Sequence, residues 1–211
     1  MQKAAALFLI LFFGFTVLLF AQDDSDPEKE PDWVNIYSTD LYTRGDQTFS
    51  MALGVGFPIA FINNKGEAIP HGIKIPGTEV PMGGTGFLNY NYYFSSRLFT
   101  GGEVGLLFLP TIGGNTVFMT YFGLKVGTQF ILGRFEFPLS ASLGGTVQTY
   151  LNFGYFGYYM KGGAGAFFRI TSQWSLGIAS NFCWFPQWTN EPEKNIDGLF
   201  VDLAIVGRYH F

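Results

Sequence analysis

Charge is what this chain has least of. Asp, Glu, Lys and Arg make up 13% of its 211 residues, about half the share of an ordinary soluble domain. The net charge is −4 and no basic cluster exists, so nothing is built to neutralise nucleic-acid phosphates. Cysteine is nearly absent. Cys183 stands alone, which excludes an intrachain disulfide and a Cys/His metal cluster. After residue 45 no apolar run is long enough for a membrane helix. No cofactor motif passes its context test. Gly162-Gly163-Ala164-Gly165 lies in mid-strand and opens no helix, so it reads as small residues leaving interior space, not as a phosphate loop.

Aromatics and glycine are abundant: 25 Phe, 11 Tyr and 28 Gly, within 48% apolar residues. That mixture suits a sheet with one face in lipid. A length of 211 residues suits one domain.

The N-terminus reads as an export signal. Lys3 supplies a positive charge, Ala4 to Phe20 is apolar apart from Gly14 and Thr16, and Ala21 precedes the polar stretch Gln22-Asp23-Asp24-Ser25-Asp26-Pro27. The expected cleavage follows Ala21, although Leu19 is large for the usual small-x-small pattern. The competing reading is an uncleaved anchor, since the run approaches the ~20 residues of a spanning helix. No cysteine adjoins the boundary, which argues against a lipoprotein. The expected organisation is therefore a signal peptide over 1–21, a periplasmic N-terminal segment over 22–46, disordered at its acidic start, and a barrel over 47–211.

From residue 47 the period of the sequence is two, which marks strands. Eight stretches alternate: 48–61, 85–94, 98–108, 116–132, 135–149, 155–170, 174–184 and 199–211. In the first, Phe49, Met51, Leu53, Val55, Phe57, Ile59 and Phe61 share a face opposite Ser50, Ala52, Gly54 and Gly56. In the last, Leu203, Ile205, Tyr209 and Phe211 share a face opposite Asp202, Arg208 and His210. Every charged residue within the eight stretches falls in the second phase: Glu103, Lys125, Glu136, Lys161, Arg169, Asp202 and Arg208. A soluble sandwich also segregates its faces, but its water-facing side carries more charge than these Gly-, Ser- and Asn-rich faces do. An apolar face in hydrocarbon and a crowded polar lumen explain both phases.

The fold expected is thus all-β: a closed antiparallel transmembrane barrel of about eight strands in an up-and-down meander. Closure follows from the solvent, because an open strand edge in hydrocarbon leaves backbone groups unsatisfied at several kcal/mol each. Eight strands enclose an interior that side chains can fill. The seven charges are expected to pair within it, with Glu103–Lys125 and Glu136–Arg169 as pairings judged by height. Short turns at 95–97, 133–134 and 171–173 alternate with longer connections at 62–84, 109–115, 150–154 and 185–198. Short turns belong to the periplasmic side of such barrels and long loops to the outside. Pro138 removes a ladder donor, so a bulge or a strand start is expected there. Residues 33–43 alternate weakly, as a periplasmic extension, the start of strand one or an extra strand.

The chain ends Leu203-Ala204-Ile205-Val206-Gly207-Arg208-Tyr209-His210-Phe211. Alternate outward hydrophobics running to a terminal aromatic resemble the C-terminal assembly signal of bacterial outer-membrane proteins. With the leader and the eight strands, the mature chain resembles the small OmpW/OmpX-type barrels, including those of spirochaetes such as treponemes. The resemblance implies residence in the outer membrane, lipid and the barrel assembly machinery as partners, and no cofactor. The OmpW side of it implies passage of small apolar solutes; the OmpX side implies loops that contact a host surface. No residue motif here carries either property.

Three functions remain open: a non-enzymatic barrel, passing small apolar solutes or maintaining the envelope; an adhesin acting through loops 62–84 and 185–198; and a lipid-modifying enzyme. The third is disfavoured. His71 sits in a loop and His210 beside the terminal Phe, with no nucleophile and orienting group at readable spacing. Cys183 reads as a buried strand residue.

Overall fold

The computed structural model describes residues 42–63, 68–69, 82–110, 116–150, 153–187 and 196–211. Its strands are β1 (Gln47–Asn63), β2 (Ala68–Ile69), β3 (Gly83–Tyr93), β4 (Leu98–Pro110), β5 (Thr116–Leu132), β6 (Phe135–Tyr150), β7 (Phe153–Arg169), β8 (Trp174–Phe185) and β9 (Ile196–His210). β2 is a two-residue strand that pairs with Phe61 and Ile62 of β1. The other eight run in meander order, every pairing is antiparallel, and β1 pairs with β9 to close the barrel.

Alternation is realised strand by strand. The outward phase is open: Leu53, Leu124, Val126, Phe156, Ile178 and Ile205 all have large exposed surfaces. The inward phase is buried and holds Glu103, Glu136, Lys161, Arg169, Asp202 and Arg208. A slip of one residue in any strand would send these charges to the outer face, so one register is strongly preferred. One charge escapes the expected phase. β9 begins at Ile196, three residues earlier than expected, and this admits Asp197, opposite Ile62 near the loop end.

The short turns carry their own chemistry. At the β3–β4 turn the Ser95 hydroxyl accepts from the Leu98 N–H at 3.1 Å, and at the β7–β8 turn Thr171 Oγ1 accepts from the Trp174 N–H at 3.0 Å. Such side-chain bonds mimic a backbone turn. Between β5 and β6 only Gly133 and Arg134 intervene, and Gly133 takes φ 59°, the left-handed region that glycine enters at no steric cost. Residues 42–46 also form a turn, not a strand: the Asp46 carboxylate accepts from the Thr43 N–H at 2.8 Å. The expectation for 33–41 lies outside the described residues.

Proline behaves differently from expectation. The β5–β6 register runs through Pro138 without a shift. Towards β7 the pairing lapses at Phe137 and Pro138, between Glu136↔Phe167 and Leu139↔Ala164, again without a shift. The register shift lies instead between Pro58 and Ala60, where β1 meets β9. A bulge there adds one residue to β1 and bends it.

Candidate functional site

Three layers of side chains fill the lumen. The layer at the short-turn end is organised by Glu136, which is fully buried near the start of β6. Arg208 Nη1 lies 2.9 Å from Glu136 Oε2, and Arg169 Nε lies 3.7 Å from Oε1. The Tyr42 hydroxyl donates to Oε2 at 2.8 Å. Tyr42 precedes β1, yet it is 2% exposed and its ring stacks on Tyr93 at a centroid distance of 4.1 Å. Burial pushes the Tyr42 hydroxyl well above its ordinary range, which keeps it a donor. Tyr93 in turn donates to the Gln129 carbonyl oxygen at 2.9 Å.

His210 joins this layer. Its Nδ1 is 3.0 Å from the Tyr42 oxygen and its Nε2 is 2.8 Å from Ser175 Oγ. Tyr42 and Ser175 each donate their one proton to Glu136, at 2.8 and 3.2 Å, so both imidazole nitrogens face hydroxyls whose protons serve the carboxylate. A serine beside a histidine is half of a nucleophile pair. The group that orients a catalytic base is here a phenol whose proton serves Glu136, and Ser175 is 2% exposed. The geometry suits a locked hydrogen-bond circuit better than acyl transfer.

The middle layer centres on Glu103. Lys161 Nζ lies 2.5 Å from its Oε2, and Tyr159 donates to its Oε1 at 2.8 Å. The Lys161 ammonium also sits over the rings of Phe87 and Tyr121, 4.7 and 4.9 Å from their centroids, where the ring faces attract it. The Asn89 amide bridges further, in the orientation that satisfies both of its ends. It donates to Glu103 Oε2 and accepts from Lys125 Nζ, each at 3.2 Å. Asp202 accepts from Asn181 Nδ2 at 2.6 Å and from Cys183 Sγ at 3.6 Å.

The layer at the loop end is apolar. Leu107, Leu109, Met119, Tyr121, Phe185 and Phe200 are all buried in one cluster. Phe185 packs edge-on against Phe200 at 5.6 Å and lies 6.1 Å from Tyr121.

All seven charged residues singled out in the sequence point inward, three in the Glu136 layer and four in the Glu103 layer. Glu136 meets Arg169, as height suggested. Glu103 does not pair with Lys125: its ion pair is with Lys161, from three strands away. Lys125 is level with Gly101 and Ser142 in the ladders, whereas Glu103 is level with Gly123. Height along neighbouring strands missed a partner that reaches across a narrow lumen. Sequence reasoning also missed Tyr42, Ser175 and Tyr159. The inward phase of β7 and β8 was a usable signal for Tyr159 and Ser175. Nothing in the pattern marked Tyr42. His71 and most of loops 62–84 and 185–198 lie outside the described residues.

The C-terminal residues face outward. Leu203, Ile205 and Phe211 are 50%, 65% and 68% exposed. Tyr209 lies edge-on to both Trp174 and Phe211, each at 5.0 Å, an aromatic cluster of the kind that marks a membrane interface. Elsewhere on the outer face, glycines Gly102 and Gly145 open an apolar hollow of about 810 Å³ walled by Leu88, Val104, Phe122 and Leu143. Among the described residues no group of His, Cys, Asp or Glu is placed to hold a metal ion.

This geometry has counterparts. A protein-family model matches residues 24–209. An uncharacterized protein of Treponema pallidum (strain Nichols) is 31% identical over 133 residues, 62% of this chain and 60% of the relative. The match thus spans less than two thirds of that relative's length. Among solved structures, Neisserial surface protein A superposes with a TM-score of 0.58 at 11% identity, covering 79% of this chain and 97% of that one. The outer membrane protein OprG from Pseudomonas aeruginosa gives 0.50 at 11% identity, covering 81% and 97%. At such identities the likeness is one of fold: the small eight-stranded barrel of outer-membrane proteins, of the OmpW/OmpX kind.

Proposed function

The chain belongs to the family whose model spans residues 24–209, and on that premise we propose that it is an integral outer-membrane barrel without catalytic activity, whose lumen does not conduct. In this reading residues 1–21 are a signal peptide removed on export, 22–46 a periplasmic segment and 47–211 the membrane barrel. Its partners are outer-membrane lipid and the barrel assembly machinery, and its role is in the envelope. The short turns, the N-terminal segment and Phe211 face the periplasm.

The observation that carries this is the filled lumen. Two polar layers and an apolar stopper occupy its length, and the interior space beside Lys125 and Arg208 amounts to about 30 Å³, little more than a water needs. The exposed outward phase supports the lipid environment: Leu124, Leu132 and Phe211 have no protein to cover them, and patches of that extent are foreign to a soluble monomer. Planar-bilayer recording on refolded protein tests it. Silent insertion is expected, and a large, stable conductance would overturn the closed lumen.

A second reading, passage of small apolar solutes, has one observation in its favour. The hollow over Gly102 and Gly145 lies on the lipid-facing side, and its floor reaches Asn89 and Glu103 of the middle layer. The hollow spans four consecutive strands with continuous ladders, so entry from the bilayer would then require two neighbours among β3, β4, β5 and β6 to part. Faster uptake of a hydrophobic fluorophore by vesicles containing the protein, absent in Gly102→Leu, is the expected mark of that role.

A further inference from the structure

We propose that the barrel interior binds one small monovalent anion of halide size beside Lys125. Among the described residues of the inward strand phases there are four cations (Lys125, Lys161, Arg169, Arg208) and three anions (Glu103, Glu136, Asp202), an excess of one positive charge. An enclosed, uncompensated charge is costly.

The pairings leave the Glu136 cluster with one guanidinium in excess, and leave Lys125 and Asp202 without an ion-pair partner among the described residues. Glu103 is taken by Lys161 at 2.5 Å, and Glu136 by Arg208 and Arg169 at 2.9 and 3.7 Å. Asp202 is held by the neutral donors Asn181 and Cys183. Among the described residues Lys125 has no ion pair within 4 Å; it donates to the Asn89 amide oxygen at 3.2 Å.

Space and donors occur at the same place. The interior cavity of about 30 Å³ is lined by Lys125 and Arg208 together with Ser50, Ser140 and Asn181. Ser142 lies directly across from Lys125 on β5 and from Lys161 on β7. It is 6% exposed, and its hydroxyl has no hydrogen-bond partner among the described residues. Ser142 is not in the cavity wall; the donors that are in it, Ser50, Ser140 and Asn181, share that wall with two cations and no carboxylate.

The chemistry selects the ligand. One excess charge asks for a monovalent ion, and the volume excludes sulfate or phosphate. Water would fill the space but leave the charge uncompensated. Because the loop end is stoppered by Phe185 and Phe200, the ion is acquired most readily as the barrel closes.

The test is refolding of the mature chain into nonionic micelles in sodium chloride, sodium bromide or sodium gluconate at matched ionic strength. The readout is the thermal midpoint of its heat-modifiable migration. A rise of several degrees, saturating with chloride and bromide and absent in gluconate, is expected, since a ligand bound only by the folded state raises the midpoint with concentration. Lys125→Met is expected to abolish the halide dependence and Ser140→Ala, in the cavity wall, to weaken it. Equal midpoints in chloride and gluconate, or an unchanged halide response in Lys125→Met, overturn the proposal. Should Lys125→Met fail to fold, crystals of the native chain grown in bromide decide: an anomalous peak beside Lys125 Nζ supports the site, and a blank cavity removes it.

Discussion

A β-carbon on Gly123 would lie 2.7 Å from the Tyr159 hydroxyl, so the smallest residue of β5 makes room for a large ring from β7. That hydroxyl donates to Glu103, which Lys161 neutralises. Gly105 stands to Tyr121 in the same way: an added β-carbon would meet the ring at 2.2 Å. Gly105 is thus the complement of an interior tyrosine, while Gly123 also admits the close approach of the Leu143 and Gly144 backbone. The alternation of small against large is how a small barrel fills a tapering lumen to the density of a protein interior.

Gly105→Ala is expected to lower stability by about 1–3 kcal/mol through overpacking. The atoms it meets belong to the Tyr121 side chain, so the same change in a Tyr121→Ala background should cost much less. Urea unfolding in lipid vesicles, followed by tryptophan fluorescence, measures the coupling; equal costs in both backgrounds would refute the complementarity.

Lys161→Met strands Glu103, which is 3% exposed. Removing one partner of a buried pair costs about 3–5 kcal/mol, because the other charge remains buried. Glu103→Gln combined with Lys161→Met removes both charges and should restore much of that loss. The same unfolding assay reads it, and simple additivity of the two changes would contradict the pairing.

Leu203 lies mid-strand on the outer face, opposite Val55 and Ser180, and is half exposed. An arginine there meets hydrocarbon and should cost about 2–4 kcal/mol. The inward neighbour Ala204 sits 2.5 Å from where a β-carbon of Gly54 would be, so substitutions at Gly54 act by crowding instead. A Leu203→Arg variant as stable in vesicles as the native chain would argue against lipid on this face.

Phe211 completes the aromatic cluster with Tyr209 and Trp174, and its N–H donates to the Gln47 carbonyl across the closing seam at 3.0 Å. Deleting it should reduce the fraction of heat-modifiable barrel recovered from cell envelopes while leaving export intact. Undiminished assembly would count against a role for the terminal residue.

The strands were legible because side chains alternate with a period of two and hydrocarbon tolerates no charge. Given those two facts, Glu103, Lys125 and Arg208 had to point inward wherever their strands lay. The short turns were legible too: Ser95, Gly133 and Thr171 carry their turn chemistry locally. Asp197 was misplaced because its strand begins at Ile196, where the alternation is not yet visible. Pro138 was misjudged because a missing donor can leave a gap in one ladder without shifting the register; the register shift falls beside Pro58 instead.

The sequence by itself determined which side of each ribbon is apolar, how many ribbons there are and that they must close, since these depend on local periodicity and on the solvent. Only the tertiary structure decided that Glu103 meets Lys161, that Tyr42 enters the lumen from outside the strands to bond Glu136, and that Lys125 is left facing a cavity. Those outcomes depend on how the strands are staggered around the barrel and on distances across it. No residue pattern along a single strand encodes either.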